Sequence, residues 1–506
     1  MTSTQRGALG AAILGSATVF LDGTVVNLAL PRIGARLPAI TIGVLEGQVY
    51  VVAGYMATLA AFLLVAGALG DRYGRRRIFL IGLGGFGVTS LLCGLAPSLD
   101  VLAAARLLQG ITGALLVPGS LAIITALFEG PERGRAFGIW ASATSLVAIG
   151  LVLAVRYVPD LRSSSEPTRF DLPGAIVGIV AVGGLTFGAI RGQQVAWAEP
   201  GPIVILAVGA AALVAFPILM IRRRDPLVPP ALFRNRTFSA INLSTLLIYG
   251  ALYVLIYVQS LFLQGVLGYS PLAAAIIGLP SGLMLAFLSA YAGILAGRYG
   301  ARRFLVGGPL LMLVGALWWL RVPATSTPWL ARLDMPSTLM PPLAALTDPL
   351  PAMILFGIGI SLVVAPLTST LMSSVPVDRA GLASAINNAL FRVGQPLVSA
   401  GIFILITDRF YTSLAARVPG LDPQSSALRS QVQPLNAPGT GVDAAIATAA
   451  RLASAEAFHA TILVVAVLLL GGAIVNWIGL RVSPAANVRV VAAETADTSA
   501  LGGGPG

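Results

Sequence analysis

Lysine is missing from all 506 residues, and cysteine and histidine occur once each, as Cys93 and His459. The 32 basic residues are therefore all arginine, and against 20 acids they leave a formal net charge of +12. An all-arginine chain reflects the base composition of a GC-rich genome, not a mechanism. One cysteine excludes an internal disulfide. One histidine without a Cys pair leaves no donor set for a transition metal, so no metal site is expected. Without lysine there is no Walker A loop, so ATP-driven work has no motif to rest on and no cofactor is expected. Charge is scarce, at 10% of residues, where a soluble domain carries about a quarter. The arginines are scattered over short loops and do not gather into a patch, which argues against nucleic acid and for contact with a lipid bilayer.

What is abundant is apolar. Hydrophobic residues make up 57% of the chain and fall in blocks of roughly 20, the length that crosses a bilayer as a helix. Lipid offers the backbone no hydrogen-bond partners, so such blocks must be helical, and an all-α polytopic membrane protein is predicted. Twelve spans are read at 8–32, 46–69, 78–97, 101–127, 173–190, 201–221, 238–264, 271–296, 304–320, 350–373, 381–407 and 459–481. The first is too long for a cleavable signal and contains Asp22. The tail 483–506 is polar, ends in Gly-Gly-Gly-Pro-Gly, and is expected to be disordered.

Between the second and third spans lies Gly67-Ala-Leu-Gly-Asp-Arg-Tyr-Gly-Arg-Arg-Arg77. Its density of arginine predicts a tight turn on the cytoplasmic side. The pattern resembles the signature loop of major facilitator superfamily transporters. Leu21-Asp-Gly-Thr-Val-Val-Asn-Leu-Ala-Leu-Pro31 in the first span and Arg106-Leu-Leu-Gln-Gly110 in the fourth are similar to motifs of the fourteen-span drug:proton antiporter family. Gly293-Ile-Leu-Ala-Gly-Arg-Tyr-Gly-Ala-Arg-Arg303 repeats the signature, with Gly297 where the first copy has Asp71. The resemblance implies a major facilitator fold of two six-helix bundles joined by two extra spans. The N-terminal bundle is placed at 1–172, the linking spans with a cytoplasmic loop at 173–236, and the C-terminal bundle at 237–482. The last carries outer loops at 321–349 and 408–457.

A thirteenth apolar block, Ala136 to Val158, resists this scheme. If it crossed once, Arg156, Arg162, Arg169, Arg222, Arg223, Arg224, Arg234, Arg236, Arg298, Arg302 and Arg303 would all face outward. That contradicts the positive-inside rule, so the block is expected to enter and leave on one side, and the N-terminus to be cytoplasmic. Two full crossings need about 40 residues, and the block holds roughly half that. It is read either as the fused remnant of the fifth and sixth spans or as a re-entrant hairpin. The antiporter motif of the fifth span, rich in Gly and Pro, is missing from it.

Several polar residues within spans could carry chemistry. Asp22 is an intramembrane carboxylate, and such groups are costly unless they work; protonation and release there would couple proton movement. The resemblance links Arg106 to proton transfer, either paired with Asp22 or snorkelling to the outer interface. Gln109 and Gly110 complete its motif. Gly67, Asp71, Arg72, Gly74 and Arg75 would form a cytoplasmic latch, with Asp71 pairing to an arginine or capping a helix. Asn388, Arg392 and Gln395 share one helix face, and Tyr249, Tyr253 and Tyr257 form an aromatic stripe. Tyr253, Tyr257, Asn388, Arg392 and Gln395 are candidates for a substrate cavity. His459 is expected at a span entrance.

The resemblance implies a secondary transporter of the cytoplasmic membrane, not an enzyme. It would exchange protons for small amphipathic drugs or antibiotics, cationic or aromatic, by alternating access. The alternative is a transport-impaired paralogue that has lost the fifth-span motif.

Overall fold

The computed structural model describes residues 5–13, 37, 38, 40, 50–128, 132, 136, 171–194, 199–325, 327–423, 425, 428, 431–439 and 441–480. Asp22, most of the 136–158 block and the tail from 483 lie outside the described residues. Residues 5–13 are helical. Eleven long helices follow: α1 Tyr55–Tyr73, α2 Arg75–Gly94, α3 Leu99–Leu127, α4 Leu172–Gln194, α5 Pro200–Arg222, α6 Arg236–Leu261, α7 Pro271–Tyr299, α8 Ala301–Trp318, α9 Pro349–Ser373, α10 Ala380–Arg417 and α11 Ala444–Gly479. Among the described residues ten helices are long and apolar enough to cross a membrane, and α10, at 38 residues, packs among them. Among the described residues there are no strands, only an isolated bridge between Arg332 and Met335.

The helices form where apolar blocks leave the backbone no other partner, and their ends carry ordinary stop and start signals. Ser98 accepts from the Val101 amide at the head of α3, and Ser270 does the same for Ala273 at the head of α7. Gly74 and Gly300 make the one-residue turns α1–α2 and α7–α8, with φ of 99° and 87°. Only glycine holds such a backbone without strain, which is why both copies of the signature keep it. The Gly67–Arg77 segment is therefore not an extended loop. Its first half is the last two turns of α1, and Gly74 alone leaves the helix.

Two other boundaries differ from the apolar blocks. The connection read at 408–457 narrows to 418–443, because α10 runs on to Arg417 and α11 starts at Ala444. Within 321–349 a short helix forms at Leu343–Thr347.

α1 packs on α3 and α10, α2 on α3, α8 and α7 on α9, and α11 on α6, α8 and α10. The linking helix α4 lies on α5 and also touches both α1 and α10. Its pairings with α1 run in reverse order: Gly178 meets Leu64, Gly183 meets Ala61, and Phe187 stacks on Tyr50. α4 is thus antiparallel to α1 and begins at the end where α1 finishes. α3 also ends there, since Arg75 at the head of α2 reaches Ala122 O and Gln5 reaches Leu127 O. Leu127 and Asp171 thus lie at the same end of the helix bundle.

Candidate functional site

The signature residues meet the second half of the chain. Asp71 Oδ1 accepts from Gly381 N at 3.1 Å and Asp71 Oδ2 from Leu382 N at 2.8 Å. These amides are among the unsatisfied donors at the head of α10, where the helix dipole also favours an anion. Arg75 donates to Asp71 Oδ1 from Nε at 3.2 Å and Nη2 at 3.1 Å. It also reaches Ala122 O on α3 at 3.2 Å and Val377 O just before α10. One carboxylate and one guanidinium thus tie α1, α2, α3 and α10 together. Gly67 permits the approach: a Cβ there would lie 2.4 Å from Ala385 Cβ and 2.7 Å from Gly381 O. Arg72 stays outside this junction, with its guanidinium 5.4 Å from the Tyr73 ring centre.

Among the described residues the second copy of the signature makes no such junction. Gly297 and Ala301 stand where Asp71 and Arg75 stand in the first, so acid and arginine are lost together. Arg302 instead donates to Trp477 O at 2.7 Å, and Arg236 to Ile478 O at 2.7 Å. Both cap the last carbonyls of α11 inside their own half.

Arg106 is 2% exposed, so it does not snorkel. Its guanidinium lies 4.1 Å from the Tyr55 ring centre, donates from Nε to Val51 O at 3.1 Å and from Nη1 to Gln109 Oε1 at 2.7 Å. Gln109 passes the chain on, donating to Ser90 Oγ at 2.7 Å and accepting from Cys93 Sγ at 3.4 Å. Gly110 lets α3 lie directly on α1, for a Cβ there would be 2.5 Å from Tyr55 O. Asp22, the expected partner of Arg106, lies outside the described residues.

Arg392 lies on α10 facing α1, with Nη1 3.9 Å from Met56 Sδ. Beside it, Phe391 meets the edges of Tyr249 and Tyr253 at 4.9 Å and 5.3 Å between ring centres. Tyr257 does not join this cluster and is 54% exposed. A four-residue step overshoots one helical turn by roughly 40°, so three tyrosines two such steps apart cannot all face one neighbour. Asn388 donates to Ser384 O of its own helix at 2.9 Å, whereas its neighbour Asn387 bridges to Asn242 Oδ1 and Thr245 Oγ1 on α6. The side chain of Gln395 lies outside the described residues. His459 donates from Nε2 to Val322 O at 3.2 Å, four turns into α11 and not at its start.

Sequence reasoning passed over Tyr55, Met56, Ser90 and Asp171. The first three carry no motif of their own. Asp171 was readable: an acid before Leu172-Pro173 is a helix-start signal. It accepts from Gly174 N at 3.0 Å and from Leu227 N at 3.1 Å, tying the head of α4 to the segment after α5. Among the described residues no cluster of His, Cys, Asp and Glu could hold a metal.

Residues 12–399 match the model of the Major Facilitator Superfamily. The chain is 34% identical to the puromycin resistance protein of Streptomyces alboniger, over 79% of this chain and 83% of that one. It is 32% identical to the multidrug resistance protein Stp of Mycobacterium tuberculosis, over 78% and 75%, and 28% identical to the tetracenomycin C resistance and export protein of Streptomyces glaucescens, over 79% and 75%. The crystal structure of a human organic anion transporter shares the fold, with a TM-score of 0.51 at 15% identity over 94% of this chain and all of that one.

Proposed function

The chain belongs to the Major Facilitator Superfamily, and from that premise we propose that it exports amphipathic drugs or antibiotics across the cytoplasmic membrane in exchange for protons, by alternating access. The junction at Asp71 carries the mechanical part of this reading. It holds the two halves together at one end through hydrogen bonds that must break if the halves part there, as a two-state gate requires. By the positive-inside rule that end, with Arg72, Arg76 and Arg77, faces the cytoplasm. Joined, it favours the outward-facing state. The substrate class rests on the relatives, which carry the names of puromycin, tetracenomycin C and multidrug resistance.

Proton coupling is assigned to Asp22 with Arg106. A carboxylate inside a span can take a proton from one side and lose it to the other, and Arg106 in its aromatic and amide setting senses the change. Substrate would sit between the halves near Tyr253, Asn388 and Arg392.

Expression in a host stripped of its own drug pumps tests this. Resistance to puromycin or accumulation of a fluorescent dye should change with the wild type, and a protonophore should abolish the effect. Asp22→Asn should keep the protein in the membrane but lose proton-dependent efflux. Undiminished proton-coupled efflux in that variant would remove Asp22 from the mechanism. A wild type that moves no compound would leave a transport-impaired member of the superfamily.

A further inference from the structure

Arg392 is poorly served by its neighbours. Its Nε is sealed from solvent and has no acceptor, and Nη1 has only the weak sulfur contact with Met56. Among the described residues no carboxylate lies within ion-pair distance of it. Arg75, Arg236 and Arg302 by contrast each donate to backbone carbonyls, Arg75 also to Asp71, although Arg302 too has a buried Nε without a partner. A guanidinium keeps its charge at any ordinary pH, so it cannot escape burial by losing a proton. Arg392 is half-buried, and a partly desolvated charge without a counter-ion inside a membrane protein signals a ligand.

The surroundings define the ligand. Tyr55 and Tyr253 lie within electrostatic reach of Arg392. Phe391, Tyr249 and Tyr253 form an aromatic wall on one side. Met56 adds a deformable apolar contact from α1. A cationic drug would meet repulsion here. An acidic aromatic compound would meet a planar donor fork for its oxygens and rings for its body.

We propose that Arg392 is the anion-binding group of the substrate site, and that the preferred substrates are aromatic compounds bearing a carboxylate or phenolate. The proposal deepens the export reading and rests on it. It also gives the substrate mechanical purchase. Arg392 is 11 residues beyond Gly381, or about three turns along α10, and Met56 is on α1, the helix that carries Asp71. A ligand held by Arg392 and packed against Met56 touches the same two helices that the Asp71 junction joins.

The test is a matched pair of probes on the purified full-length protein: 1-pyrenebutyrate and its neutral carboxamide, with binding read by fluorescence quenching. The wild type should bind the carboxylate at least about tenfold more tightly than the amide. Arg392→Gln should erase that preference while holding amide affinity within about threefold, and Arg392→Lys should keep part of it. Equal binding of the two probes by the wild type overturns the proposal, as does a preference that survives in a folded Arg392→Gln protein. The wild-type comparison stands even where a variant does not fold. Failure of the export reading is separate: a carboxylate preference with no efflux of any compound removes export alone, and efflux without that preference removes the anion site alone.

Discussion

A methyl group at position 110 has nowhere to go. Built on Gly110, it would be 2.1 Å from Thr58 Oγ1 and 2.5 Å from Tyr55 O, so α3 must back away from α1. Gly110→Ala should destabilise the protein by about 1–3 kcal/mol, read as a lower melting temperature in detergent. Adding Thr58→Ala should recover only part of the loss, because the Tyr55 carbonyl cannot be trimmed. The motif Arg106-Leu-Leu-Gln-Gly was visible in the sequence, but its partners were not. Arg106 finds Val51 O and the Tyr55 ring about fifty positions earlier, and chain spacing says nothing about which helix lies opposite. The same limit explains Tyr257: its spacing from Tyr253 was legible, whereas the position of Phe391, which selects Tyr249 and Tyr253, was not.

At the scale of an element, the head of α10 is held by a carboxylate from another helix. Arg379 at its N-cap offers no capping bond of its own, so Asp71 supplies it. Asp71→Asn keeps the shape but removes the charge facing the helix dipole and weakens the grip of Arg75. That interaction is worth about 1–2 kcal/mol, so the junction should open roughly five- to thirtyfold more often. Spin labels at Tyr73→Cys and Val377→Cys, both exposed positions, would report it as a growing long-distance population in a Cys93→Ser background. An unchanged distance distribution would leave Asp71 as a packing residue. From the sequence, Asp71 was recognisable as a candidate latch with a helix cap as one option, yet the Gly381 amide it accepts from lies 310 positions later. Helix ends were less legible than helix centres. α11 begins with the alanine-rich stretch Ala444-Ala-Ile-Ala-Thr-Ala-Ala, which favours helix, but Arg451 and Glu456 hid its first turns from a search for apolar blocks. Its start signal was present in Asp443, which accepts from Ala445 N at 2.8 Å.

Across the whole molecule, the two halves are not equivalent at the end where the two signature segments lie. The first signature reaches across to α10, while the second, without acid or partner arginine, works within its own half through Arg302 and Trp477 O. Arg302→Gln should therefore cost about 1 kcal/mol of stability through the exposed end of α11 and leave the spin-label distances of the gate unchanged. A shift as large as that of Asp71→Asn would show that the second copy also gates. Topology binds these local contacts into one scheme. Asp171 with Leu227, Asn235 with Ser374, Arg236 with Ile478 and Asp71 with Gly381 each join helix ends that the arginine distribution assigns to the cytoplasm. With the lone native cysteine replaced, Arg298→Cys should react with a membrane-impermeant maleimide only in inside-out vesicles. Leu333→Cys, 78% exposed beyond the other end of α8, should react only in intact cells. Reversal of both would invert the protein without disturbing the fold, and would move the Asp71 junction to the outer gate. Because the halves meet at that junction, the same result would exchange the state it favours, from outward-facing to inward-facing.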